Sequence, residues 1–295
     1  MSFLPARARI LAAVRSFFAE KGFLEVETPI RLPAIIPELH IVAEESAGWF
    51  LQTSPELCMK RLLAAGHEKI FQICRCFRRQ ERGSRHLPEF TMLEWYRSGA
   101  DYRQMMADCA ALLAFVAARL PLPLPDSAGP LLAKGEWCSL TVRQAFSRYA
   151  ALTVEEALRQ DLFDEILVRD IEPHLGLDRP AFLCDYPAEM GALARLKDDD
   201  PSLAERFELY VNGVELANGF SELTDVADQR HRFVRERQLI VDRDRDPGPM
   251  PESFLADLAR LPSAGGVALG LDRLVMLLCG AECIDQVVAF PPEML

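Results

Sequence analysis

The chain has 295 residues, half of them hydrophobic, and a formal net charge of -11 at neutral pH. This length allows one large or two small domains, and the negative charge argues against a broad nucleic-acid-binding surface while leaving room for local phosphate sites. The longest apolar run, Cys109–Ala118, is far shorter than the roughly 20 residues that span a membrane, so we expect no membrane insertion. Eight cysteines without a C-x-x-C pair favour reduced thiols in a cytoplasmic protein over a zinc centre.

The first predicted element is a helix, because apolar residues recur at helical spacing between residues 10 and 18 and Gly22 then ends the pattern. An extended segment follows and stops at Pro29. Ser54 and Pro55 predict the start of a second helix, with Ser54 as its N-cap.

Two β-rich segments follow, at residues 69–78 and 90–96, separated by a polar loop. Residues 103–120 have helical spacing, the proline-rich segment 121–130 is typical of a linker, and residues 141–200 are predicted to be mainly helical.

The strongest local prediction is a β-hairpin over residues 206–220, turning at Asn212-Gly213. Helices are then predicted at 225–241, 251–260 and 270–280. Strands that arrive as hairpins between helices indicate an α+β fold, with a mainly antiparallel sheet flanked by helices in a single domain covering residues 1–295.

Familiar nucleotide-binding motifs do not fit this chain. Gly265 and Gly270 have P-loop spacing, but Leu271 and Asp272 replace the required lysine and serine or threonine. The same glycines also fail the dinucleotide pattern, so any nucleotide must be held in another way.

Three segments, in this order along the chain, suggest another kind of nucleotide site. They are KGFLEVETP at 21–29, FRRQERGSRHLPEF at 77–90 and GVALGLDRL at 266–274. Together they resemble motifs 1, 2 and 3 of the class II aminoacyl-tRNA synthetases, over almost the whole chain. That resemblance implies formation of an aminoacyl adenylate, in which a carboxylate attacks the α-phosphate of ATP. Two like-charged groups must approach, so the reaction needs a fixed cation at the α-phosphate and Mg²⁺ on the leaving pyrophosphate.

The resemblance assigns the nucleotide-binding roles. Arg78 would bind the α-phosphate and the substrate carboxylate, while Phe90 and Arg273 would sandwich adenine by stacking and cation–π contact. Arg78 and Arg273 are thus the implied catalytic residues. The implied ATP-binding positions are Arg78, Arg79, Gln80, Arg85, His86, Leu87, Phe90, Glu215, Leu216, Gly270 and Arg273. Two of them depart from the family pattern: Gln80 stands where glutamate is common, and Leu87 replaces an asparagine and has no side-chain hydrogen bond to offer.

Glutamates recur in the predicted hairpin and just after it, at Glu208, Glu215 and Glu222. Inward-facing carboxylates on strands repel one another unless a cation lies between them, although a merely polar hairpin face would look the same. The resemblance assigns Glu208 and Glu215 to Mg²⁺ and Glu222 to the side-chain amine of a lysine-like substrate.

SPELCMKRL at 54–62 and PEFTMLEWY at 88–96 resemble the lysyl rather than the aspartyl branch of this family. The resemblance places one set of residues at the amine near the substrate carboxylate and another at the far ammonium, where a buried cation needs paired carboxylates. The first set is Ser54, Pro55 and Glu56, and the second is Glu94, Tyr96, Asn218 and Glu222.

The full pattern resembles the elongation factor P β-lysine ligases, truncated paralogues of lysyl-tRNA synthetase. The motif 1 helix begins near residue 5, so we expect no anticodon-binding domain and no anticodon recognition. Ala268 replaces a glycine usual in lysyl-tRNA synthetases and would favour (R)-β-lysine over lysine, unless it is a neutral packing variant.

The implied acceptor is elongation factor P. The alternatives are a lysyl-adenylate enzyme that charges tRNA or another acceptor, and a non-catalytic amino-acid-binding regulator. A homodimer is expected from motif 1, unless Ile10, Val14 and Phe17 face the chain's own core.

Overall fold

The computed structural model describes residues 3–121, 124–132 and 137–295. The described residues form eleven β-strands and nine α-helices. The strands are β1 (Leu24–Glu25), β2 (Arg31–Leu32), β3 (Glu45–Ser46), β4 (Trp49–Leu51), β5 (Lys69–Phe77), β6 (Glu89–Ser98), β7 (Cys138–Thr141), β8 (Ala181–Pro187), β9 (Leu203–Val211), β10 (Val214–Ser221) and β11 (Ala264–Gly270). The helices are α1 (Leu4–Glu20), α2 (Glu56–Ala64), α3 (Tyr102–Ala117), α4 (Val142–Tyr149), α5 (Val154–Arg159), α6 (Phe163–Ile166), α7 (Val226–Val241), α8 (Glu252–Leu258) and α9 (Leu271–Cys279).

Eight strands form one sheet in the order β1-β5-β6-β11-β10-β9-β8-β7, and β2, β4 and β3 form a small second sheet. The pairs at the two edges of the large sheet, β1–β5 and β7–β8, are parallel, and the other pairs are antiparallel. The predicted α+β fold, with a mainly antiparallel sheet flanked by helices in a single domain, is therefore confirmed. Within the described ranges, no helix is both long and apolar enough to cross a bilayer.

The two faces of the large sheet differ because side chains alternate along each strand. On one face, Trp95 of β6 and Val267 of β11 are buried in the main hydrophobic core with residues of α1, α3 and α9. On the other face lie Glu94 and Tyr96 of β6 and Ala268 of β11. The first face supplies the stability, and the second is free to form a binding site.

Helix α1 packs its apolar side against the chain's own core, where Ile10, Val14 and Phe17 are all buried. The second of the two expectations is therefore confirmed: these three residues face the chain's own core, not a dimer contact. Any homodimer has to use other residues.

Three local predictions need correction. Residues 141–200 contain α4, α5 and α6 but also strand β8, which pairs with β9. Nearly every residue of β8 is buried, so it lacks the alternation that would distinguish a strand from a buried helix. The predicted linker is partly structured, since Ala128 lies in the core within a short 3-10 helix at Asp126–Leu132; residues 122 and 123 lie outside the described residues.

The third correction concerns the start of α2. Pro55 occupies the N-cap without a side-chain cap, and Ser54 Oγ instead accepts a hydrogen bond from the Glu56 amide at 3.0 Å. The predicted hairpin turn is confirmed, because Asn212 and Gly213 have φ values of 52° and 67°, as a primed two-residue turn requires.

Candidate active site

A cleft with a volume of about 700 Å³ lies on the polar face of the large sheet. Its floor comes from β6, β11, β10 and β9, and its walls include the loop between β5 and β6, helix α7 and the segment around Glu38. The motif 2 loop, the hairpin and the motif 3 strand, which are far apart in sequence, are thus brought to one place.

Strand register explains how the cleft floor is assembled. One row across the sheet runs Gln72, Glu94, Ala268, Asn218 and Glu208, each residue being the register partner of the next. Register partners project on the same face, so this row puts the predicted discriminating alanine directly between Glu94 and Asn218.

One end of the cleft is acidic and almost dry. Glu94 is 1% exposed; its carboxylate accepts hydrogen bonds from Ser54 Oγ at 2.5 Å and from the Tyr96 hydroxyl at 3.0 Å. Burial and the nearby Glu56 carboxylate raise the pKa of Glu94 to about 8, against the opposing effect of the two hydroxyl donors. A cation that entered here would find the Glu94 carboxyl held in place by two hydroxyls and without an ion-pair partner among the described residues.

Behind this pocket, a lysine that the sequence analysis missed joins two of the predicted glutamates. Lys60 Nζ lies 2.5 Å from Glu56 Oε1 and 2.5 Å from Glu222 Oε2. The Lys60 side chain is 1% exposed and that of Glu222 is fully buried, and Glu222 does not line the open cleft as Glu94 and Tyr96 do. The only sequence signal was the i,i+4 spacing of Glu56 and Lys60 on α2.

Close packing around Glu222 requires a glycine in the motif 3 strand. A Cβ added to Gly266 would overlap Glu222 Oε1 and the Tyr96 ring. Gly266, the first glycine of the motif 3 segment, therefore leaves the space that Glu222 and Tyr96 occupy.

The opposite end of the cleft is built around Arg273. Its guanidinium donates to the Glu215 carbonyl at 2.9 Å and carboxylate at 3.1 Å, and it donates to His86 Nε2 at 2.5 Å. Since arginine can only donate, His86 Nε2 must be the acceptor. Burial and the Arg273 charge lower the pKa of His86, so the imidazole is neutral at pH 7.

The motif 2 loop reaches across this end of the cleft. Arg85 donates to the Gly213 carbonyl at 2.8 Å, which joins the loop to the hairpin turn. Arg78, rather than Arg273, lies over the Phe90 ring, 5.1 Å from its centroid. In this arrangement Arg273 is directed toward Glu215 and His86, so the predicted adenine sandwich stays a prediction.

Not every predicted position contributes a side chain to the cleft. Arg79 and Gln80 are exposed and lie outside its lining, and Pro55 is buried at the start of α2. Leu87 lines the cleft, but it is only 3% exposed and its side chain also packs in the main core, which is a physical reason for leucine where the family has asparagine. Leu216 and Gly270 do line the cleft.

The two predicted metal ligands differ in their surroundings. The Glu208 carboxylate accepts hydrogen bonds from Arg206 and from the Tyr210 hydroxyl, both at 2.6 Å, whereas Glu215 is 35% exposed and paired with Arg273. Each affects the other, because Glu215 contributes to raising the pKa of Glu208 after the larger effect of burial. Paired carboxylates beside a cleft are the oxygen donors that Mg²⁺ prefers, so the donor set fits.

Glu38 is a second residue that the sequence analysis missed. It lines the cleft, and burial raises its pKa to about 7 although the Arg78 charge opposes this. Its segment is held over the cleft because Arg245 donates to the Leu39 carbonyl at 2.6 Å. The cleft therefore contains a carboxyl group that can exchange a proton near neutral pH.

Comparison with known proteins agrees with this geometry. Residues 1–294 match the family model described as tRNA synthetases class II (D, K and N). The chain is 41% identical over 305 residues to the elongation factor P–(R)-β-lysine ligase of Pectobacterium carotovorum, covering 97% of this chain and 94% of that protein. It is 40% identical to the proteins of the same name from Proteus mirabilis, with 97% and 93% coverage, and Salmonella typhi, with 96% and 93%.

Proposed function

Because the chain belongs to the class II (D, K and N) tRNA synthetase family, we propose that it is an ATP-dependent ligase acting on elongation factor P. It activates (R)-β-lysine, or lysine, as an aminoacyl adenylate and transfers the aminoacyl group to a lysine side chain of that factor. The similarity to ligases of that name, over nearly the full length of both chains, supports this activity.

The single observation that carries the proposal is the polarity of the cleft. One end presents buried carboxyl groups around Glu94, and the other presents Arg78, Arg85 and Arg273, which line the same cleft. A diamino acid would place its ammonium groups at the acidic end with its carboxylate toward Arg78, and a nucleoside triphosphate would bind at the basic end. Together they would match the charge distribution of the cleft.

In the proposed adenylation step, the amino-acid carboxylate attacks the α-phosphorus, a new P–O bond forms and pyrophosphate leaves. Arg78 holds both reacting groups and offsets their repulsion. Glu208 and Glu215 would hold Mg²⁺, which would neutralise charge on the departing pyrophosphate. In the transfer step, the acceptor amine attacks the adenylate carbonyl, an amide bond forms and AMP leaves.

Two experiments test the proposal. Pyrophosphate exchange into ATP that depends on β-lysine or lysine distinguishes an enzyme from a binding regulator. Labelled β-lysine offered with elongation factor P or with lysine tRNA then identifies the acceptor. We expect label on the protein alone; label on tRNA alone would replace this proposal with the tRNA-charging alternative.

A homodimer and a cytoplasmic location complete the proposal. Ile30 and Trp49 are large apolar residues that stay 44% and 43% exposed on and beside the small sheet, and such a surface suits contact with a second copy. Sedimentation equilibrium tests this, with a monomer at micromolar concentration as the contradicting result.

The cytoplasmic location follows from the proposed acceptor, a translation factor, and fractionation of cells that produce the protein would check it.

A further inference from the structure

A buried ammonium group lies at the closed end of the amino-acid pocket, outside the set of residues that the family resemblance assigns. Lys60 Nζ contacts Glu56 and Glu222 at 2.5 Å each and lies 5.1 Å from the centroid of the Phe220 ring. Removing an ammonium from water is costly unless it is paired, so both carboxylates serve as its counter-ions.

The pairing keeps Lys60 charged. Burial alone would lower the pKa of Lys60, but the charges of Glu222 and Glu56 outweigh burial, and the pKa is raised. Conversely, burial raises the pKa of Glu222 to about 8, and the Lys60 charge is the strongest effect opposing that rise. Without Lys60, Glu222 would bind a proton more readily still.

The charges of the pocket can therefore be counted. Three carboxylates, of Glu56, Glu94 and Glu222, share the site with the single ammonium of Lys60. Ionised, this set has two uncompensated negative charges. A diamino acid whose carboxylate is bound elsewhere offers two ammonium groups.

We propose that Lys60 is a positioning residue of the amino-acid pocket, which holds the Glu56 and Glu222 side chains in place and favours the ionised form of Glu222, so that the pocket matches a substrate with two ammonium groups. This inference rests on the proposed function, because it takes a lysine-like substrate as given. Its effect is exerted through the two carboxylates and needs no contact between Lys60 and the substrate.

The titratable groups that face this cluster are few. Glu56 and Lys60 come from α2, Glu94 and Tyr96 from β6, Cys76 from β5, and Glu222 follows β10. Glu38, from the segment between β2 and β3, interacts with Glu56. Tyr96 and Cys76 both have pKa values raised well above their ordinary range and stay neutral at pH 7. Protons released when a diamino acid binds therefore come mainly from Glu94 and Glu222, whose pKa values are both about 8, with a further contribution from Glu38, whose pKa is about 7.

The test compares Lys60→Met with wild type by pyrophosphate exchange and by calorimetric binding of lysine and β-lysine without ATP. We expect KM for either amino acid to rise at least tenfold and KM for ATP to change less than twofold. We also expect the pH at which amino-acid affinity reaches its plateau to move up by about one unit, because Glu222 loses its counter-ion. Proton release on binding at pH 7 should increase.

Two variants serve as controls. Lys69→Met makes the same substitution at an exposed lysine next to the Phe23 ring, and we expect no change in either KM. Lys60→Arg keeps the charge, and we expect it to restore the wild-type pH midpoint even where its bulk lowers affinity. If Lys60→Met does not fold, Lys60→Gln gives the same readouts with an uncharged side chain.

The outcomes separate the two proposals. A wild-type protein that neither binds nor exchanges with either amino acid overturns the proposed function. A wild-type protein that binds them, together with an uncharged Lys60 variant that has the same affinity, pH midpoint and proton release, overturns the role of Lys60 alone. A weakened affinity with an unchanged pH midpoint also overturns it, since packing would then be the cause.

Discussion

The two ends of the cleft are built in different ways. At the amino-acid end, Glu94, Glu222 and Lys60 are almost fully buried and their charged groups are held by one another or by neighbouring hydroxyls. At the nucleotide end, Arg85 and His86 are exposed residues of a loop, and Arg273 joins that loop to the hairpin by hydrogen bonds.

This difference follows from what each end must do. A small cation is distinguished from its analogues by a dry pocket in which each unmatched charge is costly. A triphosphate is bound mainly by positive charge, which acts over longer distances and tolerates solvent. Substitutions at the amino-acid end should therefore reduce activity more than substitutions at the nucleotide end.

The largest effect is expected for Glu222→Gln. The amide cannot balance Lys60 or a substrate ammonium, and breaking a buried pair costs about 3–5 kcal/mol. Amino-acid-dependent pyrophosphate exchange should fall about 150- to 5000-fold. Glu68→Gln, the same change at an exposed residue, should leave the rate unaltered. Exchange by Glu222→Gln within tenfold of wild type would show that the carboxylate is dispensable.

At the nucleotide end, Arg273→Ala and Phe90→Ala should each raise KM for ATP more than KM for the amino acid. Stacking and cation–π contacts with adenine are worth about 1–2 kcal/mol, which corresponds to roughly 5- to 30-fold. Measuring both KM values in each variant checks the assignment. If KM for ATP is unchanged in both variants, adenine binds elsewhere in the cleft.

Ala268 lies where the two ends meet, between its register partners Glu94 and Asn218. β-Lysine carries one amine a carbon further from its carboxylate than lysine does, so that amine must sit differently against the motif 3 strand. Ala268→Gly removes a methyl group from this wall and should move the ratio of kcat/KM values toward lysine by about tenfold. An unchanged ratio would make Ala268 a packing variant.

The same contrast explains how far the sequence could predict the molecule. Glu94, Tyr96, Asn218 and Ala268 were identified because each lies in a motif, and strand alternation then put them on one face. Lys60 was missed because its partner Glu222 is 162 positions away in sequence, and no local pattern reports that pairing. Strand β8 was missed for a related reason, since burial on both faces erases the period-two pattern.

The two ends should also differ in the sign of their contribution to the pH dependence of folding stability. Folding raises the pKa of Glu94 and Glu222 from 4.5 to about 8, so the folded protein holds more protons than the unfolded chain between those values. Stability should therefore fall as pH rises from about 5 to 8, by on the order of 1 kcal/mol per pH unit for each of the two groups. The pKa of Glu215 is lowered because Arg273 outweighs burial, so its contribution is present above 4.5 and is lost only in acid.

The slope of thermal stability between pH 6 and 8 contains contributions from Glu94 and Glu222 and also from Glu38 and Glu172, whose pKa values are raised to about 7. The difference between wild type and Glu222→Gln isolates the amino-acid end. We expect Tm to fall across this range, by about 2 °C per kcal/mol, and the slope to be shallower in Glu222→Gln because one of the two raised carboxyls is gone. Saturating lysine should also flatten the slope, since bound ammonium groups favour the ionised carboxylates. Arg273→Ala, at the other end, alters the surroundings of His86, whose pKa Arg273 lowers, but it should leave the part of the slope that Glu222 contributes as in wild type. Equal slopes in wild type and Glu222→Gln would mean that Glu222 is already ionised at pH 6, and that Lys60 offsets the cost of its burial completely.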